Sequence, residues 1–206
     1  MSRELEQMVA ELRQQLTDKN NALVQLHQQL AELVRHDALT GVMNRRTLIE
    51  MLQAELQRSQ RTGHPFCFAI INLDHFRRIN EQFGHTVGDT VLKMVSDASI
   101  KLLRVLDRFG RLSDENFGIV LPATWLDSGI IAMTRLRAAV GACDWAAVTP
   151  GTDITFSAGL TTNATGDTAE KIIERAHDAL LQAKEQGRNC TVTLEADLPD
   201  MPVFDD

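Results

Sequence analysis

The segment Arg111-Leu-Ser-Asp-Glu-Asn-Phe-Gly-Ile-Val-Leu-Pro122 reads as a polar turn between two strands, and Asp114 and Glu115 place two carboxylates at its tip. Anionic oxygens on a hairpin tip suit a hard cation or the edge of a nucleotide site. A second polar cluster runs from Asn72 through Asp74, Arg77 and Asn80 to His85 and Asp89, directly after an apolar run. In α/β sheets the carboxyl end of a strand is the usual ligand crevice. Lys184 and Arg188 stand four residues apart, which puts two cations on one helix face. Arg104-Val-Leu-Asp107 pairs a guanidinium with a carboxylate; alone, such a pair is more often a surface salt bridge than a ligand site.

These groups need a scaffold. Residues 66–72 (Phe-Cys-Phe-Ala-Ile-Ile-Asn) are continuously apolar and β-prone, as expected of a central strand buried on both faces. Hairpin strands are expected at 107–111 and 117–121, and further strands at 154–159 and 189–194. Helical patterns fall at 47–61, 87–103, 126–140 and 169–185. Strands interleaved with helices around one hairpin indicate an α/β domain with a mixed central sheet flanked by helices.

Ahead of it, Leu5, Val9, Leu12, Leu16, Leu23, Leu26, Leu30 and Leu33 step alternately by four and three, with Lys19 filling the polar seam position. That heptad seam predicts a parallel homodimeric coiled coil over residues 1–35; the alternative is one amphipathic helix folded back on its own domain. The pattern breaks at Gly41, so residues 36–195 form the α/β domain and 196–206 an acidic tail expected to be disordered.

The 206 residues, 44% of them apolar, suffice for one core plus an extension. A net charge of -7 argues against nonspecific binding to nucleic acid or an anionic membrane, so any phosphate site must be local. Cys67, Cys143 and Cys190 are odd in number and far apart, which suggests neither disulfides nor a metal knuckle and fits a reducing cytoplasm. No apolar run approaches the roughly 20 residues of a membrane span, and no anchor or export is expected.

Four ordered motifs then carry a resemblance. The hairpin, the cluster from Asn72 to Asp89, Asp37-x-Leu39-Thr40-Gly41-x-x-Asn44-Arg45-Arg46 and Ala176-His-Asp178 through Ala183-Lys184 to Gly187-Arg188-Asn189 together resemble the GGDEF domain of diguanylate cyclases over roughly residues 36–194. The resemblance implies the palm-like nucleotidyl-cyclase fold. It also implies chemistry that joins two GTP molecules into cyclic di-GMP, with two divalent cations held by the first Asp of Asp-x-Asp and by the third signature residue.

This chain departs from the family at those positions. Gly-Gly-Asp-Glu-Phe is written Ser113-Asp114-Glu115-Asn116-Phe117, and the first metal aspartate is Asn72. Glu115 can replace its carboxylate, but Asn72 brings no charge, Asn116 can neither carry charge nor accept a proton at neutral pH, and Ser113 and Asp114 replace glycines that let backbone approach phosphate. At an effective dielectric of about 20, an Asp114 charge about 4 Å from a phosphate would repel it by roughly 4 kcal/mol.

Other positions keep the family pattern. Asn80 and Asp89 match its guanine-reading pair, Lys184 and Arg188 its phosphate-holding pair, and Arg77 replaces its usual Lys. Arg104 and Asp107 match its product-binding Arg-x-x-Asp, which a guanidinium fork and a carboxylate suit. Arg135 falls where a second arginine is often supplied from a neighbouring protomer. His85 is expected to be structural, and Trp125, Trp145 and Leu181 to pack.

The resulting expectation is a degenerate GGDEF domain that has lost cyclase activity and acts as a cyclic di-GMP receptor or regulatory module. Mg2+ would be needed only if GTP is bound, and no other cofactor is expected. Two rival readings stay open: a weak cyclase using Glu115, Asp74 and Asp114 around metal, and a nucleotide-free module that binds another signalling protein.

Overall fold

The computed structural model describes residues 2–33 and 35–196, with the side chains of residues 7–25 and 35–196. The chain divides into two compact units, residues 1–35 and 36–206. All but the first residue of the expected acidic tail lies outside the described residues.

The first unit is one helix, α1 (Ser2–Leu33), which holds neither Gly nor Pro. Its seam residues Val9, Leu12, Leu16 and Leu23 are 42%, 57%, 62% and 53% exposed, so the described part of the apolar stripe is not packed within the helix. The side chains of Leu5, Leu26, Leu30 and Leu33 are outside those described.

The second unit runs α2 (Arg45–Thr62), β1 (Cys67–Leu73), α3 (Phe76–Phe83), α4 (His85–Ile100), β2 (Arg108–Arg111), β3 (Asn116–Leu121), α5 (Leu126–Gly141), β4 (Phe156–Thr162), α6 (Ala169–Glu185) and β5 (Thr191–Thr193). The sheet order is β2-β3-β1-β4-β5. Strand β1 is central and antiparallel to both β3 and β4, and β5 joins β4 in parallel, so the sheet is mixed.

Every residue of β1 is buried because helices cover both faces. Phe66, Phe68 and Ile70 meet Leu48, Leu52 and Leu56 of α2 and Ile172, Ala176 and Leu180 of α6. Cys67, Ala69, Ile71 and Leu73 point the other way, into a core with Ile79, Val91, Val95, Met133 and Leu136 from α3, α4 and α5. Alternation along the strand thus becomes a continuous apolar run once both sides are covered. Helix α6 lies so close to the sheet that a Cβ on Gly159 would overlap the backbone at Ala176 and Leu180.

The expected helix at 87–103 is α4, two residues earlier at its start and three at its end, and α3 before it is a helix that was not expected. Gly84, at φ 87°, ends α3 and starts α4, a left-handed backbone that glycine adopts without strain. Helix α4 stops at Ile100, and residues 101–107 form an irregular loop. Strand β4 begins later than the expected 154 and continues to Thr162.

Candidate functional site

The register of β1 and β3 sets Asn72 opposite Asn116, bringing the end of the central strand to the hairpin tip. There the Asn72 amide Nδ2 donates to Glu115 Oε1 at 2.9 Å and to Asn116 Oδ1 at 2.9 Å. Asn116 passes the chain on, its Nδ2 donating to Ser113 Oγ at 2.6 Å. The turn is closed by the Leu112 N–H donating to the Asn116 carbonyl at 2.8 Å.

Arg111 holds the same tip from behind. Its Nε donates to the Ser113 carbonyl at 3.1 Å and its Nη2 to the Asp114 carbonyl at 2.8 Å. Its Nη1 lies 3.3 Å from Asp37 Oδ1, which also accepts from Thr40 N and Thr40 Oγ1 at 2.9 and 2.7 Å. Partial burial works to raise the Asp37 carboxyl, but the Thr40 hydrogen bonds and the Arg111 guanidinium outweigh it and hold the group below the usual carboxylate range. The first family motif is thereby tied to the hairpin.

In front of the tip lies a cleft of about 620 Å³ lined by Phe76, Arg77, Asn80, Glu81, His85 and residues 113–116. Arg77 and Asn80, two of the residues expected to bind nucleotide, line it, and so does His85, which the sequence suggested to be structural and which is exposed. A Cβ on Gly88 would overlap Asn80 Oδ1, so glycine at 88 is what lets that side chain sit where it does. Arg77 is paired with Glu81 at 3.0 Å and is 90% exposed. Asp89, Lys184 and Arg188 do not line this cleft.

Asp74 is not available as an alternative metal ligand. It is 4% exposed, and its carboxylate accepts from Thr155 Oγ1 at 2.7 Å, Ser157 Oγ at 2.6 Å and the Asn189 N–H at 3.1 Å. It therefore ties β1 to β4 and to the turn that carries Arg188. Among the described residues no group of three His, Cys, Asp or Glu side chains could hold a metal ion. With an amide nitrogen turned toward Glu115, the donor set at the tip does not fit the family's divalent cations, which require converging anionic oxygens.

A separate pocket of about 360 Å³ brings together Arg104, Asp107 and Arg135 with Leu121, Thr124, Ser128 and Ile131. The Arg104 backbone N–H donates to Asp107 Oδ2 at 2.7 Å, which fixes the short loop. Among the described residues neither the Arg104 nor the Arg135 guanidinium has an ion-pair partner, so the surface salt bridge that such a spacing ordinarily makes is not what is found. The additional lining residues Ser128, Ile131 and Ala132 precede Arg135 at helical spacing, a face of α5 legible in sequence but not singled out there.

Two packing expectations need correction. Trp145 is buried and its Nε1 donates to the Val140 carbonyl at 2.8 Å, but Trp125 is 70% exposed because it stands at the N-terminus of α5. Leu181 is 45% exposed, on the outer side of α6.

The description "Diguanylate cyclase, GGDEF domain" matches residues 34–190. The chain is 42% identical over 153 residues to the diguanylate cyclase DgcP of Pseudomonas aeruginosa, covering 74% of this chain and 23% of that protein. It is 33% identical over 165 residues to the response regulator PleD of Caulobacter vibrioides, covering 78% of this chain and 36% of the relative. The chain thus spans about a quarter to a third of these curated relatives. Among solved structures, the diguanylate cyclase SiaD of Pseudomonas aeruginosa, in complex with its activator SiaC, superposes with a TM-score of 0.75 at 33% identity over 94% of this chain and 75% of that one. The GGDEF domain of DgcB from Caulobacter crescentus, in complex with c-di-GMP, gives 0.73 at 25% identity over 77% and 92%. Fold, ordered motifs and sequence identity agree, and the chain belongs to the GGDEF diguanylate cyclase family.

Proposed function

We propose that this is a GGDEF domain without diguanylate cyclase activity that acts in cyclic di-GMP signalling as a receptor. The observation that carries this reading is the pocket of Arg104, Asp107 and Arg135, in which two unpaired guanidiniums and a carboxylate face one cavity. Guanidinium forks grip phosphate and purine edges, and a carboxylate accepts from the N–H groups of guanine. The catalytic tip supports the other half of the reading. Glu115 is the single carboxylate that Asn72 meets, and its other partner, Asn116, is an amide.

Cyclic di-GMP should raise the melting temperature of the wild-type domain and leave Arg104→Ala unmoved. Equal shifts in both proteins would place the ligand elsewhere. No conversion of GTP to cyclic di-GMP is expected with Mg2+ or Mn2+.

The 42% identity to a diguanylate cyclase favours a second reading, a slow cyclase. Under it, restoring Asn72→Asp, Ser113→Gly, Asp114→Gly and Asn116→Glu together raises a measurable basal rate; a basal rate of zero removes the reading.

The exposed stripe of α1 supports pairing with a second copy of the chain, the homodimer through residues 1–35. Among the described residues no helix is long and apolar enough to cross a membrane. We place the domain in the cytoplasm on its free thiols and its predicted ligand. By analogy with the SiaD and SiaC pair, a protein partner is a further element of the reading.

A further inference from the structure

Another cavity, of about 290 Å³, opens on the other side of α3 from the hairpin cleft. Arg77, Asn80 and Glu81 line the cleft, whereas His75, Arg78 and Gln82 line this cavity opposite Thr152 and Asp153 of the loop before β4. The buried Ile79 gives it apolar surface. It shares no lining residue with the cleft or with the Arg104 pocket. Its volume lies near the lower end for small-molecule sites, about 300 Å³.

The two walls are tied together. The Asp74 N–H donates to the Thr155 carbonyl at 2.9 Å, and the Asp74 carboxylate accepts from Thr155 Oγ1 at 2.7 Å, which joins the start of α3 to the loop. Between these anchors and the helix, His75 is held at φ 56° and ψ 24°, a left-handed backbone for a residue with a Cβ, and its side chain makes no capping bond. Such a conformation persists where the surroundings over-determine it, and it marks a wall that is set before any ligand arrives.

Opposite charges line this cavity without joining. Among the described residues neither the Arg78 guanidinium nor the Asp153 carboxylate has an ion-pair or side-chain hydrogen-bond partner, although both line one space. A ligand that bridges them must bring an anion to Arg78 and a cation to Asp153. The cation is organic, because among the described residues no three His, Cys, Asp or Glu side chains are grouped to hold a metal ion.

We propose that this cavity binds a small zwitterion of the α-amino acid class. The Arg78 fork takes its carboxylate, with a ring N–H of His75 as a second donor, and the Asp153 carboxylate and the Gln82 amide oxygen accept from its ammonium. The inference goes beyond cyclic di-GMP binding at the Arg104 pocket and does not depend on it.

Thermal unfolding of the intact chain with the standard α-amino acids, one at a time at about 10 mM, tests it. For a millimolar dissociation constant, at least one of them should raise the melting temperature by about 3 °C or more. Propionate and ethylamine, which each carry one of the two charges, should leave it unmoved. Arg78→Ala and Asp153→Asn, both changes at exposed positions, should each remove the shift. The absence of a shift with every amino acid overturns the proposal, as does an equal shift with propionate or ethylamine, or one that survives in both variants.

Discussion

An aspartate at position 72 would face Glu115 with a second negative charge; the asparagine that stands there donates from its amide to Glu115 and to Asn116. One atom changes the sign of what the tip can hold, because a cation needs converging anions and an amide needs acceptors. Asn80 depends on its neighbour in a similar way. Gly88→Ala would put a methyl on Asn80 Oδ1, the movable end of that side chain, and we expect about 1 kcal/mol of destabilisation by urea unfolding as Asn80 turns away. Asp37 offers a pH test. Its carboxyl is held below the ordinary value of 3.8, so its contribution to stability is complete above that value and fades as pH falls through the lower folded one. Asp37→Asn should therefore be less stable than wild type at neutral pH, and acid titration should show the difference shrinking as pH falls below 3.8.

At the scale of elements, β1 was legible because its two-sided burial writes itself as an unbroken apolar run, and α6 because its apolar spacing, a Thr168 cap and a terminal Lys184 agree. Helix α3 was not legible: its eight residues lie in the polar stretch read for its ligand groups, and so short a helix leaves little periodicity to detect. The altered tip could be read residue by residue, but its hydrogen-bond polarity could not, since that depends on the strand register that sets Asn72 opposite Asn116. The sheet also sets a limit on substitution. Gly159→Ala has no room against the α6 backbone and should cost about 3 kcal/mol or more, read as a lower urea midpoint, whereas Ala at the open Gly141 should leave the midpoint nearly unchanged.

At the scale of the molecule, α1 carries an exposed apolar seam, and the α/β domain carries the hairpin cleft and the Arg104 pocket. The three residues of the Arg104 pocket were readable, but not their meeting in one chain: Arg135 was read as an arginine supplied between protomers, and the packing of α5 beside the loop at 101–107 brings it to Arg104 and Asp107 of the same chain. In a parallel pair of α1 helices the Lys19 side chains would face each other, a like-charge contact in an otherwise apolar seam. Lys19→Leu should strengthen self-association by about 1–3 kcal/mol, seen as a lower dissociation constant in sedimentation equilibrium; an unchanged monomer in both proteins removes the coiled-coil dimer. The claim that joins site and function is that cyclic di-GMP binds through Arg104. Calorimetric titration of cyclic di-GMP into the wild-type chain and into Arg104→Ala tests it most directly. The account predicts a dissociation constant of about a micromolar or below for the wild type and no measurable heat for the variant. Absence of heat with the folded wild-type chain would contradict it, as would equal affinity in the two proteins.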